Sequence, residues 1–192
     1  EMCIRDRMIR WGTEQQPFLM GIIVSVLMGM ALTLPISSAA LGVILNLSGI
    51  AAGAATVGCC AQMIGFATAS FRENGIGGLL AQGIGTSMLQ VPNIVRKPLI
   101  WLPTIITSAI LGPISTVVLK MTNNAIGSGM GTAGLVGPIM VYKTMITNTS
   151  PTITILMILV MLIIAPAFLT YFISEAMRRK GLIKDGDMKL EI

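Results

Sequence analysis

The chain has 192 residues, of which 54% are hydrophobic and 11% charged, with 13 Lys and Arg against 8 Asp and Glu and no His. At a mean hydropathy of +0.83 there is too little polar surface to cover the apolar part, which excludes an ordinary soluble domain and makes the bilayer the expected solvent. The basic residues sit at the chain ends and in short breaks between apolar runs rather than along one face, a pattern that argues against a nucleic-acid partner and for topology signals.

Without His, and with Cys only at positions 3, 59 and 60, the chain lacks the groups for a zinc site or a His-assisted nucleophile. No catalytic residue, metal or cofactor is expected. Cys59 and Cys60 are adjacent within an apolar run and read as small packing residues.

Residues 1–16 are charged and lack the apolar core of a signal peptide, so they read as a cytoplasmic or artefactual N-terminal segment. Glu1 to Arg7 are left out of the fold. Pro17 to Leu34 carries no charge and is close to the ~20 residues that cross a bilayer, which makes it the first expected span, closed by Pro35. Residues 36–47 read as a turn with a partial or interfacial helix. Ser48 to Phe71 is the second span, and its small residues four apart (Gly49 and Gly53, Ala54 and Gly58) allow close helix approach in lipid. A central position is expected for it.

Glu73 is the only carboxylate between Glu14 and Glu175. It reads either as a loop residue paired with Arg72, Arg96 or Lys97, or as a buried acceptor for a ligand hydroxyl, proton or cation. The five glycines at 75, 77, 78, 83 and 85 disfavour a straight spanning helix over 75–93. Leu99 to Leu119 is the third span, with a kink expected at Pro103, Gly112 or Pro113. A second glycine-rich stretch, Gly127 to Pro138, leads to Tyr142 and Lys143. Asn148-Thr149-Ser150 fits a glycosylation acceptor, a frequent chance match. Thr152 to Ser174 is the fourth span, and the basic tail with Arg178, Arg179, Lys180 and Lys184 is expected in the cytoplasm.

The expected architecture is therefore all-α and polytopic: a membrane domain over 17–175 with four transmembrane helices, and a cytoplasmic tail over 176–192. Both chain ends fall in the cytoplasm, and each glycine-rich segment dips in and returns as a re-entrant hairpin. Non-helical backbone tolerates that depth only where protein or a water-filled cavity covers it.

The two glycine-rich segments match each other. Setting Gly83 to Pro92 over Gly129 to Pro138 aligns Gly, Gly, Thr, Leu and Pro at an offset of 46, which also aligns Lys97 with Lys143 and the second span with the third. With the spans running in opposite directions, this is an inverted repeat, and glycine-interrupted segments at matching places in two repeats point to a transporter's substrate site. Gly129, Gly131 and Gly134 also spell GxGxxG, but a dinucleotide site needs a preceding strand and an acid about 20 residues on. Neither is present.

The run from Gly77 to Trp101, then Ala109 to Asn123, then Gly127 to Pro138 resembles the EIIC-type family of the phosphotransferase system that includes the PfoR regulators. The resemblance covers about residues 17–180. It implies that the chain is the C-terminal part of a larger permease in the bacterial cytoplasmic membrane, with a small sugar-like substrate, separate IIA and IIB proteins as partners, and a homodimeric assembly. Phosphotransfer would occur only with those partners. A PfoR-like sensor that keeps the fold without transport is the alternative. The expected substrate contacts come from the two hairpins: Glu73, Asn74, Gln82, Gly83, Gly85, Thr86 and Asn93 from the first, and Asn123, Asn124, Gly129, Gly131 and Thr132 from the second.

Overall fold

The computed structural model describes residues 16–147 and 149–190; the N-terminal segment through residue 15, with Cys3, and Asn148 of the glycosylation pattern lie outside the described residues. The described chain is helical throughout, and its one β-type pairing is an isolated bridge between Gly49 and Asn123. In chain order the α-helices are α1 (Pro17–Thr33), α2 (Ser38–Ile44), α3 (Gly49–Ala69), α4 (Phe71–Leu80), α5 (Val91–Arg96), α6 (Leu102–Pro113), α7 (Ala125–Ser128), α8 (Val136–Met145), α9 (Pro151–Ile158) and α10 (Ala165–Arg179).

Three continuous helices among the described residues are long and apolar enough to cross a membrane: Gly49–Ala69, Pro98–Val118 and Pro151–Arg179. They correspond to the second, third and fourth expected spans. The first expected span is a shorter apolar helix of 17 residues. Pro17, Pro98 and Pro151 open their helices, where a missing N–H costs nothing and the fixed φ suits the first turn. Pro113 and Pro166 lie inside continuous helices, and each borders a widened π-helical stretch, Ile114–Val118 and Leu159–Ile164. Proline cannot complete the usual ladder there, and the turn adapts rather than breaking.

Helix α3 is the spine of the fold. Its most apolar stretch is 89% buried, against 22% for Pro151–Arg179. The reason is in its small residues: a Cβ on Gly58 would strike the Ser25 backbone, and one on Gly53 the Met121 carbonyl. Only glycine allows either approach. The apolar side chains Leu19, Ile23 and Leu27 line the outer face of α1, exposed as a stripe suited to lipid.

The direction of α1 departs from the expectation that both chain ends lie on one side. Moving along α1, Ser25 meets Gly58, Met28 meets Cys59, and Gly29 and Thr33 meet Gln62, so α1 runs parallel to α3. Pro17 accepts a hydrogen bond from Thr116 at the far end of the Pro98–Val118 helix (2.8 Å). Parallel neighbours joined by a short connection require a return, and residues 34–48 with α2 supply it. Helix α2 is capped by Ser37, which accepts from Ala40 N–H (3.3 Å), and Ser38 Oγ holds it to Gly129 O (2.6 Å). The Pro17 end thus shares the Gly49 end of α3, away from the tail, and the two ends of the described chain lie at opposite ends of the spine.

Candidate functional site

Each glycine-rich stretch folds back on itself. In the first, Gly75 at φ +57° breaks α4, a widened turn follows over Ala81–Gly85, and the chain reverses at Thr86 into a 3-10 turn, Ser87–Gln90, and α5. Thr86 Oγ1 caps that turn by accepting Met88 N–H (3.2 Å). In the second, Asn124 caps α7 by accepting Gly127 N–H (2.8 Å), and the chain reverses through Gly131 into a 3-10 turn, Ala133–Leu135, and α8. The order of Thr, 3-10 turn and short helix repeats at the offset of 46 seen in the sequence.

Gly131 has φ +54°, and a Cβ there would press on the Cys59 backbone at 3.0 Å. Both facts require glycine at this turn.

The two reversals reach α3 from opposite ends. The second starts at the Gly49 end, where Asn123 N–H donates to Gly49 O (3.1 Å) and Asn123 Nδ2 to Thr56 Oγ1 (2.7 Å). It then follows the spine past Cys59, whose Sγ lies 3.6 Å from Ser128 O, to Thr132, whose Oγ1 lies 3.5 Å from Met63 Sδ. The first reversal comes from the Ala69 end: Gln82 Nε2 donates to Ser70 Oγ (2.8 Å), and Gly83 packs over Ala67 and Ile64. The tips meet beside Met63, where Thr132 Oγ1 donates to Gly83 O at 2.5 Å.

The base of the first reversal is tied to the C-terminal tail. Glu73 accepts from Arg178 (2.7 Å) and from Met188 N–H (2.8 Å). Asn74 donates to Met188 O and accepts from Leu190 N–H, both at 2.8 Å. Gln90 Nε2 donates to Met188 O and Asn93 Nδ2 to Lys189 O, both at 3.0 Å. Lys97 pairs with Asp187. Partial burial works against the charge on Asp187, but the Lys97 ammonium and the Lys184 backbone N–H outweigh it and hold the carboxyl below its usual range. Met188 itself is fully buried.

A family model described as "Phosphotransferase system, EIIC" matches residues 3–190. The chain belongs to the phosphotransferase system EIIC family. No curated protein and no solved structure matches it. Membership, together with the apolar helices, makes this EIIC chain a multi-pass membrane protein and a transporter component of a phosphotransferase system.

The EIIC structure sorts the expected contact residues into three places. Gln82, Gly83, Gly85, Thr86, Gly131 and Thr132 lie at or next to the meeting tips, with Gly129 held against α2. Asn123 and Asn124 stand at the base of the second reversal. Glu73, Asn74 and Asn93 stand at the base of the first, their polar atoms engaged by the tail. Of the two readings of Glu73, the geometry matches an ion pair, with Arg178 as the partner.

One buried polar residue near the tips was missed. Gln62 is fully buried midway along α3, where its Oε1 accepts from Trp101 Nε1 (2.9 Å), Thr104 Oγ1 (2.8 Å) and Thr33 Oγ1 (3.4 Å). The signal was available: Gln62 is the only amide or ionisable side chain between Gly49 and Ala69 apart from the two cysteines, and such a residue inside a span is a functional candidate.

Proposed function

We propose that this chain acts in the IIC-type membrane component of a phosphoenolpyruvate-dependent sugar phosphotransferase system, and that it binds and translocates a small sugar-like substrate where the two glycine-rich reversals meet. The observation that carries this reading is the convergence of both tips on Met63 from opposite ends of the central helix. Two re-entrant hairpins entering from opposite faces would expose backbone amides at mid-depth, the arrangement transporters use for substrate. Gln82, Gly83, Gly85, Thr86, Gly131 and Thr132 are the contacts we assign to substrate. Asn123, Asn124 and Gly129 shape the second hairpin, and Glu73, Asn74 and Asn93 hold the base of the first.

Charge supports the orientation. Arg72, Arg96, Lys97, Arg178, Arg179, Lys180, Lys184 and Lys189 gather at the Ala69 end of α3, whereas Lys120 and Lys143 alone stand at the Gly49 end among the described residues. Eight cations against two support a cytoplasmic position for the tail and the base of the first hairpin, where IIA and IIB proteins would act. The assembly we assign is a homodimer in the bacterial cytoplasmic membrane.

Deletion of the gene for the full protein should abolish phosphoenolpyruvate-dependent accumulation of one sugar as its phosphate ester. Unchanged uptake of every sugar, with altered expression of another gene, would instead support a PfoR-like sensor.

A further inference from the structure

Among the described residues, two buried side-chain polar atoms have no hydrogen-bond partner: Gln62 Nε2 and Ser115 Oγ. A serine hydroxyl rotates to suit its surroundings, but the Gln62 amide is held. Trp101 Nε1 can only donate, so the oxygen of Gln62 must face it, and an amide flip would set donor against donor. Thr104 and Thr33 point hydroxyls at the same oxygen. The amide nitrogen is thereby committed as a free donor in a fully buried place, a condition that native structures rarely leave unmet.

What surrounds it has one chemical character. Thr33 Oγ1 also meets Ser87 Oγ at 3.1 Å, which links the cluster to the residue just past the tip of the first reversal. Met63, the next residue of α3, touches Thr132 at the tip of the second. Helix α1 with Thr33, α3 with Gln62, the first reversal with Ser87 and the start of the Pro98–Val118 helix with Trp101 and Thr104 therefore send five neutral polar groups to a single spot. None of Thr33, Gln62, Ser87, Trp101 and Thr104 is ionised, and a charged ligand would find no counter-ion among them. Convergent neutral donors and acceptors, the Trp101 indole N–H among them, match a polyhydroxylated neutral ligand.

We infer that Gln62, with Thr33, Ser87, Trp101 and Thr104, forms a subsite for the hydroxyls of a neutral sugar or polyol, in which Gln62 Nε2 donates to a ligand oxygen. This rests on the transport reading above and adds to the hairpin tips a specificity-determining residue on the central helix. A ligand oxygen supplies the acceptor that the protein lacks. A competitor without a hydroxyl at that position would leave the amide unpaired and be rejected.

The chain holds two tryptophans, so Trp11→Phe leaves Trp101 as the only indole reporter. The full protein in nanodiscs is titrated with D-glucose, D-galactose, D-mannitol and N-acetyl-D-glucosamine, following Trp101 fluorescence and thermal stability in parallel. At least one of these should change the fluorescence saturably, because the ligand enters the shell of the group that holds the indole N–H. Gln62→Met, which keeps the volume but neither polar atom, should bind that ligand at least tenfold more weakly. Gln62→Asn, which keeps an amide one methylene shorter, serves as the second variant if the first does not fold, with the same expectation. A folded Gln62 variant that binds with wild-type affinity overturns the subsite and leaves the transport reading standing. Absence of any saturable response or thermal shift in the wild type overturns both.

Discussion

The hydroxyl of Thr132 donates to the carbonyl oxygen of Gly83 at 2.5 Å, across 49 residues of chain. Neither residue is on a spanning helix. Each lies at the tip of a reversal whose base is at a different end of α3, so this bond marks where two approaches from opposite faces of the protein close on each other. Thr132 is fully buried and Gly83 has no side chain to compete, which leaves backbone carbonyls and a single hydroxyl as the polar groups at the contact.

The two tip glycines should respond differently to the same substitution. Gly131 combines φ +54° with the Cys59 backbone at 3.0 Å, whereas a Cβ on Gly85 meets nothing within 4 Å. Gly131→Ala is therefore expected to lower stability by about 1–3 kcal/mol. Gly85→Ala should stay within about 0.5 kcal/mol of wild type. Thermal unfolding of the two variants in matched nanodiscs checks the difference.

Glu73 should behave as a strut of the first reversal. Its carboxylate accepts from Arg178 and from Met188 N–H, with the ion pair largely shielded at 7% and 8% side-chain exposure. Glu73→Gln removes the charge and leaves Arg178 with Asp185, which is 87% exposed. A loss of about 2 kcal/mol is expected, with substrate affinity unchanged. Altered affinity at unaltered stability would move Glu73 into the substrate site.

The tail should loosen in acid. The folded Asp187 carboxyl titrates below its reference value of 3.8, so its contribution is complete above that value and disappears as pH falls through the depressed one. A nitroxide at Lys189→Cys, with Cys3 replaced by Ser, should remain immobile from neutral pH to about 4 and gain mobility below it. In Asp187→Asn the label should be mobile across the whole range.

The parts that could be read in advance share a cause. The apolar lengths of the three later spans exceed what a soluble helix needs, and the glycines of α3 have no use except close approach, so both its span and its central burial were legible. The match between the two glycine-rich stretches was legible because Gly, Gly, Thr, Leu and Pro recur at an offset of 46, a local pattern that needs no tertiary information; the 3-10 turns after Thr86 and Thr132 were not. The direction of α1 was hidden: hydropathy measures length and carries no sign, and the Ser25–Gly58 and Met28–Cys59 contacts that orient the helix join residues 33 and 31 apart. Arg178 lies 105 residues from Glu73, farther than the nearby cations Arg72, Arg96 and Lys97 that local charge counting selects. The role of Gln62 was hidden because its partners Trp101, Thr104 and Thr33 lie 39, 42 and 29 residues away, although a lone amide in an apolar helix is itself a signal.

Ligand-induced stabilisation compared between wild type and Thr132→Val tests the meeting of the two tips as a substrate site. The substitution keeps the shape of Thr132 and removes the bond to Gly83, a loss of about 1 kcal/mol in the unliganded protein. With the same four sugars, a ligand at 100 times its Kd should stabilise the wild type by about 2.7 kcal/mol, and the shift should shrink or vanish in Thr132→Val. An equal shift in both proteins, or none in the wild type, would contradict a substrate site at the tips.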